Sequence, residues 1–240
     1  MDKRKAVRII REVRDIYNSI AKEWDISRDR PSGIKMKVLD LVKPGAQVLD
    51  LGSGNGFMAP YVVQRGAKYF GLDISKNLVE IAKRANKELI KKHEVSFKVG
   101  GATKLPYKDN SFDLVFSFAV LHHIPSDELR QKFFTEAARV LKPGGQGMVI
   151  VWNLLNDWPS KRFKVKEQLA KQGDLKKGDV FISWKATEGK VYQRYLYQFE
   201  KKEITNLVKQ AGLGKIKVEY FNRAGKRMAS GEELVVRFKK

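Results

Sequence analysis

Short apolar segments alternate with helical segments through the middle of this chain, and this alternation is its strongest constraint on fold. The apolar segments predict strands at 47–52, 69–74, 95–100, 112–118 and 146–152. Helices are predicted between them, most clearly at 77–92 and 127–141. Because parallel strands are joined by helical crossovers, the pattern predicts a parallel sheet covered by helices on both faces.

Two segments lie outside this alternation. Amphipathic spacing predicts a helix over 4–22 and a shorter one over 33–42, so we expect residues 1–45 to form an N-terminal helical lid. Residues 153–200 follow the fifth strand, at the end of a parallel sheet where ligands bind. We interpret them as a substrate-recognition insertion in a single domain that covers residues 1–240.

The end of the chain predicts a different strand pairing. A helix over 201–211 is followed by strands over 215–222 and 233–239, and their connection is short for a helical crossover. These two strands are therefore predicted to be antiparallel. The expected fold is α/β and Rossmann-like, with a seven-stranded, mostly parallel sheet that ends in an antiparallel hairpin.

Composition limits the chemistry and favours one class of partner. The chain has no cysteine, which excludes disulfides, Cys-ligated zinc and covalent thiolate catalysis. Its net charge of +21 favours a polyanion, with RNA the first candidate, although a generally lysine-rich proteome is the alternative. With no membrane-spanning apolar run and no signal-peptide pattern, we expect a cytoplasmic protein that does not bind membranes.

A glycine-rich loop follows the first strand, in the sequence V-L-D-L-G-S-G-N-G. The dinucleotide fingerprint G-x-G-x-x-G fails here, because its third glycine falls at Phe57. The spacing is instead G-x-G-x-G, and an acid at the end of the first strand suits a cationic ligand such as S-adenosylmethionine. The predicted cofactor residues in this loop are Asp50, Gly52, Ser53, Gly54 and Gly56.

A second acid supports this interpretation. Asp73 ends the next strand, 23 residues after Asp50, where a carboxylate can accept hydrogen bonds from both ribose hydroxyls. The alternative role for Asp73 is to cap the following helix, which Ser75 is also able to do. Ile74, Ala102, Ala119 and Tyr17 complete the predicted cofactor pocket.

Three further segments carry a family resemblance: Y-N-S-I-A-K-E-W-D-I-S-R-D-R-P, F-A-V-L-H-H-I-P-S-D-E-L-R and V-Y-Q-R-Y-L-Y-Q-F. With the glycine loop, they resemble the tRNA wobble-uridine carboxymethyl methyltransferases, which are class I S-adenosylmethionine-dependent methyltransferases. The resemblance implies methyl transfer to the carboxylate of 5-carboxymethyluridine in tRNA, and a small zinc-ribbon activator protein as partner. Two positions depart from the family pattern: Ile34 where a Trp is usual, and Gly101 where an Asp usually contacts adenine.

The resemblance also supplies candidate catalytic residues. A carboxylate acceptor has a pKa of about 4 and needs no general base, so the site needs a cationic or hydrogen-bonding clamp. Arg28, His123 and Arg194 match the family's positions for that role, although both arginines also fit ordinary surface positions. Two-residue alternation predicts that His122 and His123 point in opposite directions, so that one faces the site and the other packs away from it. The alternation does not decide between them, and we take His123 as the one that faces the site.

Several alternatives remain open from sequence alone. Tyr17 and Trp24 either cover the cofactor or simply pack the N-terminal helix. The chain is either a tRNA methyltransferase, a methyltransferase for a quinone, lipid precursor or carboxylic acid, or a non-catalytic RNA-binding protein. The net charge of +21 favours RNA over a small molecule.

Overall fold

The computed structural model describes residues 1–27, 31–171 and 177–240. The strands in this part of the chain are β1 (Gln47–Leu51), β2 (Lys68–Asp73), β3 (Val95–Val99), β4 (Phe112–Phe118), β5 (Leu141–Trp152), β6 (Asp179–Lys185), β7 (Val191–Tyr197), β8 (Gly214–Phe221), β9 (Arg227–Met228) and β10 (Glu233–Lys239). The α-helices are α1 (Lys3–Ser19), α2 (Ala21–Ile26), α3 (Gly33–Met36), α4 (Ala59–Val63), α5 (Lys76–Ala85), α6 (Lys87–Lys91), α7 (Asp127–Val140), α8 (Asp157–Arg162), α9 (Val165–Ala170) and α10 (Lys201–Gln210). Short 3₁₀ helices lie at Lys37–Leu41 and Leu121–His123.

The main sheet has the strand order β3-β2-β1-β4-β5-β10-β8-β9. Strands β1 to β5 pair in parallel, whereas β10 is antiparallel to both β5 and β8. The predicted α/β fold and its terminal antiparallel hairpin are confirmed. The strand beyond the predicted seven is β9, which has two residues and pairs with the end of β8.

Alternation along the central strands places a separate hydrophobic core on each face of the sheet. In β1, Leu49 and Leu51 belong to the core that α1, α7 and α10 cover. Val48 points to the opposite face, where α4 and α5 contribute to the second core. Burial of both faces is the reason that the central strands read as nearly continuous apolar runs in the sequence.

Three predicted helices are interrupted. The predicted helix over 4–22 ends at Ser19 and restarts as α2, and the one over 77–92 is divided at Asn86 between α5 and α6. The predicted helix over 33–42 is α3 followed by a 3₁₀ helix. Amphipathic spacing identified these segments as helical, but it did not show the breaks.

Residues 153–200 form a small unit after β5, with α8, α9 and a two-stranded antiparallel sheet of β6 and β7. Its own apolar core contains Leu154, Val165, Val180, Ile182 and Leu196. The sequence predicted an insertion here but not its internal structure. A role for it in substrate recognition stays a prediction.

The N-terminal helices are attached near the carboxyl end of β2. The Asn18 side chain accepts a hydrogen bond from Ser75 Oγ at 2.8 Å, and its backbone carbonyl accepts one from Asn77 Nδ2 at 2.9 Å. These bonds join the end of α1 to the start of α5. A lid role for residues 1–45 stays a prediction.

No helix within the described ranges has the length and apolar character needed to cross a bilayer.

Close packing between β5 and β10 gives a stability prediction. A Cβ added at Gly147 would lie 2.0 Å from the ring of Phe238, which is buried on the paired strand. We expect Gly147→Ala to lower the free energy of unfolding by about 1–3 kcal/mol, measured by urea denaturation. The matched control is Gly214→Ala in β8, where an added Cβ meets no atom within 4 Å and the change should stay within about 0.5 kcal/mol. Equal stability of the two variants would contradict the prediction.

Candidate active site

A cavity of about 390 Å³ opens at the carboxyl ends of β1, β2 and β4, a volume suited to a small ligand. The predicted site residues that line it are Tyr17, Asp50, Gly52, Gly54, Asp73, Ile74, Ala102, Ala119, His123 and Arg194. Ser53 and Gly56 belong to the same loop but do not line the cavity. Arg28 lies outside the described residues.

The glycine loop makes close contacts that exclude larger residues. Gly52 and Gly54 have positive φ angles of 83° and 55°, which strain most other residues. An added Cβ would lie 2.0 Å from Val120 at Gly52 and 2.6 Å from the Trp24 ring at Gly54. The backbone N–H of Gly52 donates to the carbonyl of Leu72 at 2.7 Å, which fixes the loop against β2. The glycines therefore allow the backbone to form the floor of the cavity.

Asp50 places a buried carboxylate in the lining of the same cavity. Its Oδ2 accepts a hydrogen bond from the Tyr69 hydroxyl at 2.7 Å, whereas Oδ1 is buried without a hydrogen-bond partner among the described residues. Burial raises the pKa of Asp50 to about 7, although the Tyr69 hydrogen bond and the positive charge of Lys35 oppose the shift. A cationic group in the cavity would stabilise the ionised carboxylate. This arrangement fits the ammonium group at the amino acid end of S-adenosylmethionine.

Asp73 is held in position at the next strand end. Its two oxygens accept hydrogen bonds from the backbone N–H groups of Gly54 and Ser75, each at 2.8 Å. The cap of α5 is Ser75, whose Oγ accepts from the backbone N–H of Leu78, so the capping alternative for Asp73 is wrong. The Asp73 carboxylate lines the cavity, where it can accept hydrogen bonds from ribose hydroxyls.

A chain of hydrogen bonds crosses the other side of the cavity. Arg194 donates to the Tyr17 hydroxyl at 3.4 Å, and this hydroxyl lies 2.9 Å from Nε2 of His123. Nδ1 of His123 lies 2.8 Å from the backbone carbonyl of Tyr195. Because a carbonyl only accepts, Nδ1 carries the proton and Nε2 accepts from Tyr17.

These contacts keep His123 neutral. Burial and the nearby charge of Arg194 lower the pKa of His123 to about 3. Both ring nitrogens are engaged by Tyr17 and the backbone of Tyr195. His123 therefore positions the hydroxyl of Tyr17, and its nitrogens are not available to act as a base at neutral pH.

Arg194 is a buried cation that faces the cavity. Its guanidinium lies 4.9 Å from the centre of the Trp184 ring, in a cation–π contact. Its Nε is buried without a hydrogen-bond partner, and it forms no ion pair with any carboxylate in the described part of the chain. Burial of an unneutralised charge costs free energy, so an anion that binds beside this guanidinium would be stabilised.

The prediction that only one histidine faces the site is wrong. Both His122 and His123 line the cavity, with ring centres 4.6 Å apart. They lie in a 3₁₀ helix, so the two-residue alternation of a strand does not apply. Nδ1 of His122 accepts from the backbone N–H of Trp152, and burial holds its pKa well below the usual range.

Tyr17 and Trp24 both line the cavity, so neither only packs the N-terminal helix. The sequence interpretation missed Lys35, which lines the same cavity with its ammonium 5.3 Å from the Phe57 ring. It also missed Trp184, the residue beneath Arg194. No motif marks either residue, although alternation along 179–185 was a usable signal for Trp184.

Gly101 lies open beside the cavity. A Cβ added there meets no atom within 4 Å, and the residue lines the cavity next to Ala102. The position therefore has room for the acidic side chain that is usual in the family, but this sequence supplies none.

The pKa of Asp50 gives a binding prediction. A cationic ligand binds the ionised carboxylate, and a pKa of about 7 means that this form is lost as pH falls. We expect the Kd for S-adenosylmethionine, measured by calorimetry, to rise about eightfold from pH 7.5 to pH 6.

The matched variant is Asp50→Asn, which should bind weakly and with no pH dependence over that range. Asp40→Asn, at an exposed position, should behave like the wild type. A wild-type affinity that stays constant over that range would contradict the role of Asp50.

Comparison with known proteins supports a methyltransferase site in this cavity. Residues 49–149 match a family model described as a methyltransferase domain. The mouse tRNA (carboxymethyluridine(34)-5-O)-methyltransferase ALKBH8 is 30% identical over 166 residues, which cover 68% of this chain and 23% of the mouse protein. A Schizosaccharomyces pombe protein of the same enzyme name is 26% identical over 221 residues, which cover 83% of this chain and 87% of that protein. The chain thus spans about a quarter of the mouse relative.

Solved structures show the same fold. The methyltransferase in a complex with the Trm112 methyltransferase activator of Haloferax volcanii superposes with a TM-score of 0.68 at 20% identity. The superposition covers 95% of this chain and 96% of that chain. Together with the cavity, these findings place the chain in the class I S-adenosylmethionine-dependent methyltransferases, where it is similar to the tRNA carboxymethyluridine methyltransferases.

Proposed function

We propose that this protein methylates tRNA and that its acceptor is the carboxylate of 5-carboxymethyluridine at the wobble position. The observation that carries the proposal is the buried guanidinium of Arg194, which faces the cavity without a carboxylate partner among the described residues. An acceptor carboxylate would neutralise it through charge-assisted hydrogen bonds. The product is a methyl ester.

The proposed chemistry needs no general base, which fits a His123 whose two ring nitrogens are both engaged. Bound S-adenosylmethionine supplies a methyl group on a cationic sulfur, and the acceptor carboxylate is already ionised at neutral pH. In the proposed reaction a carboxylate oxygen would take the methyl group as the sulfur–carbon bond breaks, and no proton would move. The protein's task is to orient the acceptor for in-line attack. Trp184, Tyr17 and His123 hold Arg194 in place for that purpose.

Several side chains of the site come from residues 1–45 and 153–200, the two segments outside the alternation of strands and helices. Tyr17 and Trp24 come from the N-terminal segment, and Trp184 and Arg194 come from the 153–200 insertion. Their position supports the roles of lid and substrate-recognition element. Arg28, which follows α2 in the sequence, is proposed as a further contact for the acceptor or for the RNA backbone.

The macromolecular partner is inferred from charge and from relatives. A net charge of +21 favours RNA, and the mouse and fission yeast relatives are named as tRNA methyltransferases. A small zinc-ribbon activator and a cytoplasmic location are part of the same proposal. The complex of the Haloferax volcanii methyltransferase with its activator supports the partner.

Mass spectrometry of wobble nucleosides tests the proposal directly. tRNA that carries 5-carboxymethyluridine is incubated with the enzyme, methyl-labelled S-adenosylmethionine and, in a parallel reaction, an added zinc-ribbon activator. Label in the carboxymethyl ester supports the proposal. Label only in a quinone, lipid precursor or free carboxylic acid, with none in tRNA, overturns it in favour of a small-molecule enzyme.

Arg194→Gln should separate acceptor binding from cofactor binding. Loss of a buried, charge-assisted contact costs about 3 kcal/mol, so we expect kcat/KM for tRNA to fall at least about 100-fold. The Kd for S-adenosylmethionine should change less than about twofold, because Asp50 and Asp73 lie in other strands. The matched control is Lys185→Gln, an exposed cation on the same hairpin, which should leave kcat/KM within about threefold of the wild type. Equal effects of the two substitutions would contradict a specific role for Arg194.

A further inference from the structure

An exposed tryptophan lies outside the cavity, on helix α8 of the insertion. Trp158 is 54% exposed, and its ring is approached by two guanidinium groups. The Arg162 and Arg223 guanidinium carbons each lie 5.8 Å from the ring centre. Both arginines are exposed residues. We call these three residues the Trp158 patch.

The patch adjoins the proposed acceptor site. Arg223, which follows β8, lines the cavity as well as approaching Trp158. Its backbone N–H donates to the carboxylate of Glu232 at 3.0 Å. The backbone N–H of Asn153 donates to the carbonyl of Glu232 at 2.9 Å, and Asn153 Nδ2 donates to the carbonyl of Gly231. These bonds join the start of the insertion to residues 231–232, and Glu232 also contacts Arg223. They hold the Trp158 patch close to the cavity.

The composition of the patch favours one class of ligand. An exposed indole ring stacks on nucleobases, with about 1–3 kcal/mol per base, and guanidinium groups bind phosphates. A membrane surface would need a larger apolar area, whereas the exposed large apolar residues in the described part of the insertion, besides Trp158, are Leu155 before α8 and Val191 on β7. The net charge of +21 agrees with a polyanion.

We propose that the Trp158 patch binds the nucleotide next to the acceptor nucleotide, with the base stacked on Trp158 and its phosphate held by Arg162 and Arg223. This inference rests on the proposed function, because it assumes an RNA acceptor. Arg223 belongs to both the cavity and the patch. An RNA strand bound there therefore contacts the protein from the acceptor nucleotide to its neighbour. The patch thereby makes the enzyme prefer an RNA acceptor over a free nucleoside.

Paired substrates test the role of the patch. The acceptors are an anticodon stem-loop that carries 5-carboxymethyluridine and the free nucleoside 5-carboxymethyluridine. We expect Trp158→Ala to weaken stem-loop binding about tenfold and to raise its KM similarly. Activity on the free nucleoside should be unchanged, and Trp158→Phe should restore most of the stem-loop affinity, because a phenyl ring also stacks. Val191→Ala, at another exposed apolar residue of the insertion, is the matched control and should change neither activity.

Salt dependence tests the two arginines. The double variant Arg162→Gln and Arg223→Gln should reduce the slope of log K against log salt by about 1.4 to 1.8 for the stem-loop, because each phosphate contact contributes about 0.7 to 0.9. The control is Lys91→Gln, an exposed lysine on α6 that pairs with Glu88, which should leave the slope unchanged.

The outcomes separate this inference from the proposed function. Wild-type methylation of the stem-loop together with unchanged binding by Trp158→Ala would overturn the patch and leave the proposed function intact. Equal losses for the stem-loop and the free nucleoside would also overturn it. Binding of anionic lipid vesicles that requires Trp158, with RNA binding that does not, would overturn it in favour of a membrane contact. Absence of any tRNA methylation by the wild type would instead refute the proposed function.

Discussion

Charges of both signs are buried around one cavity with few protein groups to neutralise them. Asp50 and Asp73 occupy the side of the glycine loop, and Arg194 occupies the opposite side. Burial raises the pKa values of the two carboxyl groups, and Arg194 makes its cation–π contact with Trp184 without a carboxylate partner in the described ranges. Such an arrangement costs folding free energy unless ligands supply the missing charges. A cationic cofactor on one side and an anionic acceptor on the other would satisfy both.

Three distant segments of the chain are needed to build this arrangement. The sheet supplies the carboxylates at its strand ends, α1 supplies Tyr17, and β7 of the insertion supplies Arg194. The hydrogen bonds from Arg194 through Tyr17 to His123 join all three. His123 is neutral and has both nitrogens engaged, so its contribution is to orient Tyr17. The same insertion carries Trp158, so the proposed acceptor contact at Arg194 and the proposed recognition of a neighbouring nucleotide both draw on this structural unit.

Local patterns explain which parts of this structure were predictable. The sheet was predicted because short apolar runs and helical periodicity are properties of contiguous residues, and the Asp50 and Asp73 positions followed from strand ends and spacing. The partners of Arg194 were not predictable, since Tyr17 and Trp184 reach it only through tertiary packing. The orientation of His122 was mispredicted because a short 3₁₀ helix replaces the strand pattern that was assumed. The internal sheet of the insertion was missed because exposed polar residues interrupt the apolar residues of β6 and β7, which weakens their signal.

The specificity of Arg194 for a carboxylate is the central claim, and an uncharged analogue of the acceptor tests it most directly. Two anticodon stem-loops that differ only in a 5-carboxymethyl or 5-carbamoylmethyl group are compared for Kd, with the enzyme saturated with S-adenosylhomocysteine to prevent turnover. Loss of one charge-assisted contact predicts at least about tenfold tighter binding of the carboxylate form, and this difference should disappear in Arg194→Gln. Equal affinities of the wild type for the two stem-loops would contradict the claim that Arg194 binds the acceptor carboxylate.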